Sequence, residues 1–107
     1  MAKWKPHYDL KKIKDLISSD KYMLVKVAHA TALSMNFNQA RIKDALLNIE
    51  QTDFSKSEED RQFRGHWQDA YKSCYEGHRL YVKWKIINHI GEQLLVLSFK
   101  ENQGEEL

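Results

Sequence analysis

Arg79-Leu80-Tyr81-Val82-Lys83-Trp84-Lys85-Ile86 is the stretch that decides the fold. Successive side chains of an extended strand point to opposite faces, so Leu80, Val82, Trp84 and Ile86 share one face while Arg79, Tyr81, Lys83 and Lys85 share the other. One face is core and the other is basic. Glu76-Gly77-His78 supplies a turn before the strand, and Asn88-His89-Ile90-Gly91-Glu92 supplies one after it. His66 to Cys74, Arg79 to Asn88 and Gln93 to Lys100 are therefore predicted to form an antiparallel meander. The last of these is apolar on both faces through Leu94, Leu95, Val96 and Leu97, as a central or helix-covered strand is, and turns polar only at Ser98 and Lys100.

Upstream, the period changes from two to 3.6. Leu10, Ile13, Leu16 and Ile17 recur at helical spacing, with Lys11, Lys12 and Lys14 opposite, which predicts an amphipathic helix from near Tyr8 to Ser18 or Ser19 with a solvated basic face. Pro6 suits a helix start soon after it. Lys21 to Lys26 reads either as a short strand or as the lead into a helix; the preferred reading is a helix from about Val25 to Met35. Asn38 is a good N-cap for a third helix carrying Ile42, Ala45, Leu46 and Ile49. Gln51 to Gly65 is polar without a sustained period and reads as a long functional loop, anchored in part by Phe54 and Phe63. Helices followed by a sheet argue for a single α+β domain over residues 1–107, with the acidic stretch 101–107 as a flexible tail.

Composition sets outer limits. At 107 residues the chain buries enough surface to fold without a disulfide or metal staple. Seventeen Lys and Arg against fifteen Asp and Glu nearly balance, but the acidic residues concentrate in Glu58-Glu59-Asp60 and at the end, which leaves the strands and first helix locally basic. Cys74, alone, cannot form an internal disulfide; it reads as a buried inert thiol and fits a reducing compartment. The longest apolar runs are too short for a bilayer, and the expectation is a cytoplasmic protein with no membrane partner.

No Gly-rich phosphate loop, Gly-x-Ser-x-Gly or Cys-x-x-Cys is present, and the five histidines lack metal-ligand spacing, so no metal or cofactor is expected. His7 and His66 are the best candidates for an acid–base pair. What remains is a sheet face bearing cations, a phenol and an amide, which suits phosphate chemistry on RNA, where the 2′-hydroxyl is a nucleophile the substrate brings with it. Tyr81, Lys83 and Lys85 share a face by periodicity. Gln68 on the neighbouring strand, Lys100 at the end of the third and Lys56 would join them if the loop folds over the sheet.

Thr52-Asp53-Phe54-Ser55-Lys56-Ser57, Trp67-Gln68-Asp69, Tyr71, Tyr81-Val82-Lys83 and Ser98-Phe99-Lys100-Glu101 occur in an order and with gaps that resemble the motility quorum-sensing regulator (MqsR) toxins. The resemblance spans nearly the whole chain from Lys5-Pro6-His7 onward. It implies the RelE-like fold, a small antiparallel sheet with packed helices, and a ribosome-independent mRNA interferase that prefers short GC-containing sites. It implies catalytic positions at Lys56, Gln68, Tyr81 and Lys100, beside which Lys83, Lys85, Arg79 and His7 are candidates for binding the substrate. It implies an MqsA-type antitoxin partner with a zinc-binding part and a DNA-binding helix-turn-helix part, so that operator DNA is reached only through that partner. Ser55, where the family often has an aromatic residue, and the acidic Glu58-Glu59-Asp60 are departures that bear on how RNA approaches Lys56.

Physical roles can be assigned within that set. A lysine acting as base needs its pKa brought down from about 10.4 towards neutrality, which crowding by Lys56, Lys83 and Lys100 favours. Lys56 or Lys100 then shuttles protons, the other stabilises phosphate charge with Lys83, Tyr81 donates to phosphate or the leaving oxygen, and Gln68 orients the nucleotide. Trp67, Tyr71, Trp84 and Phe99 read as core before base-stacking surfaces. The competing readings are a basic module that binds RNA or a protein without cleaving, and a co-repressor acting with its antitoxin.

Overall fold

The structure, a computed structural model, describes residues 2–88 and 90–103. In chain order these form β1 (Ala2–Lys3), α1 (Leu10–Ser18), β2 (Tyr22–Leu24), α2 (Lys26–Ser34), α3 (Gln39–Leu47), a 3₁₀ turn (Gln51–Asp53), β3 (Phe54–Glu59), β4 (Trp67–Tyr75), β5 (His78–Asn88) and β6 (Glu92–Glu101). The fold is α+β, with six strands in one sheet ordered β1-β3-β4-β5-β6-β2. All neighbours are antiparallel except β2, which runs parallel to β6.

The helices form where local chemistry asks for them. Asp9 caps α1 by accepting from the Lys11 amide at 3.3 Å, so the helix starts at Leu10 rather than Tyr8. Leu10, Ile13, Leu16 and Ile17 are buried along one side, each stabilising the fold by about 2 kcal/mol through removal of apolar surface from water. Asn38 caps α3 as predicted, its Oδ1 accepting from the Arg41 amide at 2.8 Å. The ambiguous segment contains both alternatives in succession: Tyr22–Leu24 pairs with β6, and α2 follows at Lys26.

The meander is as predicted, closed on one side by a two-residue hairpin. Tyr75 pairs with His78, and Glu76 and Gly77 between them both have positive φ, 48° and 84°, the pairing that suits the twist of a tight hairpin. Leu80, Val82 and Trp84 of β5 point into the core with Tyr71, Leu94, Val96 and Phe99 and the inner faces of the three helices.

Four expectations need correction. Gln51 to Gly65 is not one loop: its middle is β3, which pairs with β4, and only the connection after Glu59 lacks regular structure. The hydrogen bonds of β3 come from non-local pairing, which a polar run such as Ser55-Lys56-Ser57-Glu58-Glu59 gives no periodicity to announce. Phe63 is not an anchor, being 55% exposed, whereas Phe54 does pack edge-on against Tyr71. Cys74 is exposed, because it falls in the outward phase of β4 opposite Arg79. The acidic tail does not begin at 101, since Glu101 pairs with Leu80 and the Asn102 amide donates to the Arg79 carbonyl; residues 104–107 lie outside the described ones, as does His89.

Candidate active site

The outward face of the sheet is set by register. Lys56 pairs with Ala70, Ala70 with Lys83 and Lys83 with Ser98, so Lys56, Ala70, Lys83 and Ser98 form one row across β3, β4, β5 and β6. Two residues along, Lys72, Tyr81 and Lys100 form a second row. In the opposite direction Gln68 pairs with Glu58. Directly opposed residues in a ladder share a face, so these rows together make one surface, about 14 Å from the Gln68 level to that of Tyr81 at ~3.4 Å per residue. Lys56 joins the face through strand pairing, not through a loop folding over it.

Two β-bulges aim the outer lysines. Phe54 pairs with Tyr71 and Lys56 with Ala70, so Ser55 is an extra residue in β3. Phe54 therefore faces the core and Lys56 faces out, where strict alternation would have put them on the same side. On β6, Lys83 pairs with Ser98 but Trp84 with Val96, leaving Leu97 extra. Val96 and Phe99 both point inward as a result, and Lys100 is turned outward to lie with its Nζ 5.4 Å from the centre of the Tyr81 ring. Tyr81 is largely covered, at 7% exposure, so its ring is held in place.

Two of the lysines on this face have a carboxylate beside them. Lys56 Nζ lies 3.5 Å from a Glu58 carboxylate oxygen, and Lys85 Nζ 3.6 Å from Asp60 Oδ2. The same Asp60 oxygen accepts from Gln68 Nε2 at 3.0 Å. Asp60 is held in a turn, its Oδ1 accepting from the amides of Gln62 at 2.8 Å and Phe63 at 3.4 Å. The Gln62 amide is the main influence keeping the Asp60 carboxyl below its usual range, with Gln68, Phe63 and Lys85 adding to it against a smaller opposing effect of desolvation. An open cleft of about 700 Å³ lies here, lined by Asp60, Arg61, Gln62, Gln68 and Lys83 among others.

His7 lies elsewhere. Its ring stacks on Trp67 with centroids 5.6 Å apart and its Nδ1 meets Lys3 Nζ at 2.8 Å, on the inward-phase side of β4. Burial pushes the imidazole pKa down, and the Lys3 ammonium adds to that. His66 lies against Phe63, and among the described residues no interaction joins the two histidine rings. Arg79 is exposed at the far end of the outward face, across from Cys74. Tyr71, Trp84 and Phe99 are fully buried core, whereas Trp67 is half-buried under His7 and Lys3.

Sequence reading missed three residues of this region. Lys72 shares the Tyr81 row, and the alternation Gln68, Ala70, Lys72 contained the signal. Asp60 stands at the end of the acidic run Glu58-Glu59-Asp60, which hides its separate role. Asp69, completely buried, accepts from the backbone amides of His7 at 3.0 and 3.1 Å and Tyr8 at 3.0 Å, which ties the approach to α1 onto β4 one residue from Gln68.

Residues 5–101 match the family described as motility quorum-sensing regulator, toxin of MqsA. The chain belongs to that family. A relative within reach by sequence is the mRNA interferase toxin MqsR of Escherichia coli (strain K12), 25% identical over 101 residues that cover 94% of this chain and 99% of the relative. The MqsR resemblance drawn from short blocks is thus matched across almost the entire described sheet and all three helices. Among the described residues no helix is long and apolar enough to cross a membrane.

Proposed function

We propose that this MqsR-family chain is an mRNA interferase, an endoribonuclease that cuts single-stranded mRNA at short GC-containing sites by attack of the 2′-hydroxyl, and that a cognate MqsA-type antitoxin neutralises it. The observation that carries the reading is the single outward face on which register gathers Lys56, Lys83, Tyr81 and Lys100 with Gln68 at one end. Single-stranded RNA supplies the nucleophile, so the protein has to orient it, move two protons and stabilise charge.

In the reaction the 2′-oxygen forms a bond to phosphorus as its proton passes to a base, and the P–O5′ bond breaks as O5′ takes a proton from an acid. The products are a 2′,3′-cyclic phosphate and a 5′-hydroxyl, and no metal is required for that balance. Lys83 lies in the central row and Tyr81 and Lys100 in the next, so a phosphate lying over these two rows meets a phenol and two ammonium groups. Lys56 reaches the same phosphate from the other side of the Ala70 position, where the small side chain leaves room. Lys56 or Lys100 shuttles the protons, taking one from the 2′-hydroxyl, the other lysine stabilises the phosphorane oxygens with Lys83, and Tyr81 donates to the phosphate or to the leaving O5′. Gln68, some 14 Å along the strands from the Tyr81 level, contacts a neighbouring nucleotide and sets its position. Lys85 and Arg79, towards opposite ends of the outward face, serve binding of the RNA strand beyond the scissile group, whereas His7, stacked on Trp67 on the other side of β4, lies off that surface.

The test is incubation with a synthetic RNA library in excess EDTA, with cut sites and end groups read by sequencing, beside Lys56→Ala and Tyr81→Phe. Discrete cuts with cyclic-phosphate and 5′-hydroxyl ends are expected from the unmodified chain. Each variant should retain its fold and lose about 10²-fold or more in rate, the size of a removed acid–base or charge-stabilising group. Full turnover by Tyr81→Phe would remove Tyr81 from the chemistry, and a folded protein that binds RNA without cutting it would turn the reading to a binding or co-repressor module.

A further inference from the structure

We propose that Asp60 is a positioning residue that fixes the Gln68 amide with its carbonyl oxygen towards the RNA, so that Gln68 selects nucleotides whose base carries an exocyclic amino group. The inference rests on the reading of this face as an RNA-cleaving site. The Asp60 carboxylate has its geometry imposed by the turn around it. The Gln62 and Phe63 amides hold Oδ1, the Asp60 amide donates to the His66 carbonyl at 2.7 Å, and the side chain is only 15% exposed. Oδ2 is left facing Gln68 Nε2 at 3.0 Å and Lys85 Nζ at 3.6 Å.

An ionised carboxylate accepts hydrogen bonds and cannot donate them. A side-chain amide beside it therefore has one favourable orientation, NH₂ towards the carboxylate, because the flipped form would set two oxygens against each other at about 3 Å. Gln68 thus loses the ambiguity that a free amide has between donor and acceptor, and its Oε1 is committed to the other side. Gln68 and Lys83 line the same cleft, together with Glu58, Glu59 and Asp60, so the amide that selects and the lysine that meets phosphate border one space. A base bearing an exocyclic amino group satisfies that oxygen; uracil, which has no amino group, does not satisfy it in the same place. A site built to pair a donor discriminates strongly against a ligand that lacks one. The Lys85 contact gives Asp60 a second effect, since the carboxylate offsets a charge that would otherwise attract any phosphate regardless of sequence.

Two measurements on the full chain test this. The first compares kcat and KM on RNA substrates that differ in one base beside the cut, using the unmodified chain, Asp60→Asn and Asp60→Glu. In Asp60→Asn the new amide can present either atom to Gln68, so discrimination between amino-bearing bases and uracil should fall about tenfold while KM drops and gains a steeper salt dependence; Asp60→Glu, which keeps a carboxylate, should recover part of the preference. The second is the ¹⁵N–¹H spectrum of the Gln68 side-chain NH₂, in which one proton should be shifted downfield in the unmodified chain and return in Asp60→Asn. An unshifted NH₂ overturns the positioning. A shifted NH₂ with base preference unchanged in Asp60→Asn overturns the selection. Absence of cleavage by the unmodified chain overturns the proposed function instead, and the spectrum still decides whether Asp60 holds Gln68.

Discussion

Asp69 shows how one buried side chain serves both fold and site. Its carboxylate satisfies the backbone amides of His7 and Tyr8, and the Tyr8 hydroxyl donates to the Trp67 carbonyl at 2.7 Å, so the segment before α1 is riveted to β4 on either side of Gln68. Removing the acceptor leaves two part-buried amides without their partner. Asp69→Ala is expected to cost about 2–3 kcal/mol, since bonds to a charged acceptor are the stronger kind and their donors would be left unpaired. In thermal melts that corresponds to a midpoint lower by roughly 10 °C or more for a chain of this size. A midpoint within 2 °C of the unmodified protein would mean that the amides find other partners. Cleavage should fall with it, because Gln68 is carried on the same strand.

At the scale of elements, the two bulges decide what a reader of the sequence could see. Tyr81, Lys83 and Lys85 were legible as a face because β5 alternates without interruption, and the three helices were legible because apolar spacing and the Asn38 cap are local signals. Lys56 and Lys100 were not legible by the same rule, since an extra residue at Ser55 and at Leu97 inverts the phase before each of them. Those two positions came from the family resemblance. β3 was unreadable for a related reason, as it is held by distant partners and carries no alternation of its own, and β2 was legible only as one of two readings of Lys21 to Lys26. The bulges also make the strands unequal in their tolerance of deletion. Deleting Leu97 leaves Val96 and Phe99 inward in a now regular strand, so a cooperative melt should persist. Deleting Val82 from unbulged β5 turns half its side chains over and should abolish folding. Circular dichroism melts of the two would decide, and equal loss of structure in both would show that the Leu97 bulge is itself required.

For the whole molecule, pH acts on stability through its buried phenols. The Tyr71 and Tyr8 pKa values are raised chiefly by burial, and that of Tyr75 by its 2.6 Å hydrogen bond to Asp44. A phenol whose folded value is raised favours the fold fully below its unfolded value, about 10, and loses that contribution as pH climbs through the folded value. Melting midpoints should hold steady up to about pH 9.5 and then fall, with a smaller alkaline fall in Tyr75→Phe; a flat profile to pH 11 would contradict the assignment. The sheet ends in β1, two residues long, and β2, three residues long. Beyond the reach of β1, the exposed rim of β3 is interrupted at Ser55 and bears Lys56 and Glu59. Stubby, charged and kinked rims give another chain little to add a strand to, so the β1 and β3 side of the described sheet is a poor template for fibre growth by edge-to-edge stacking.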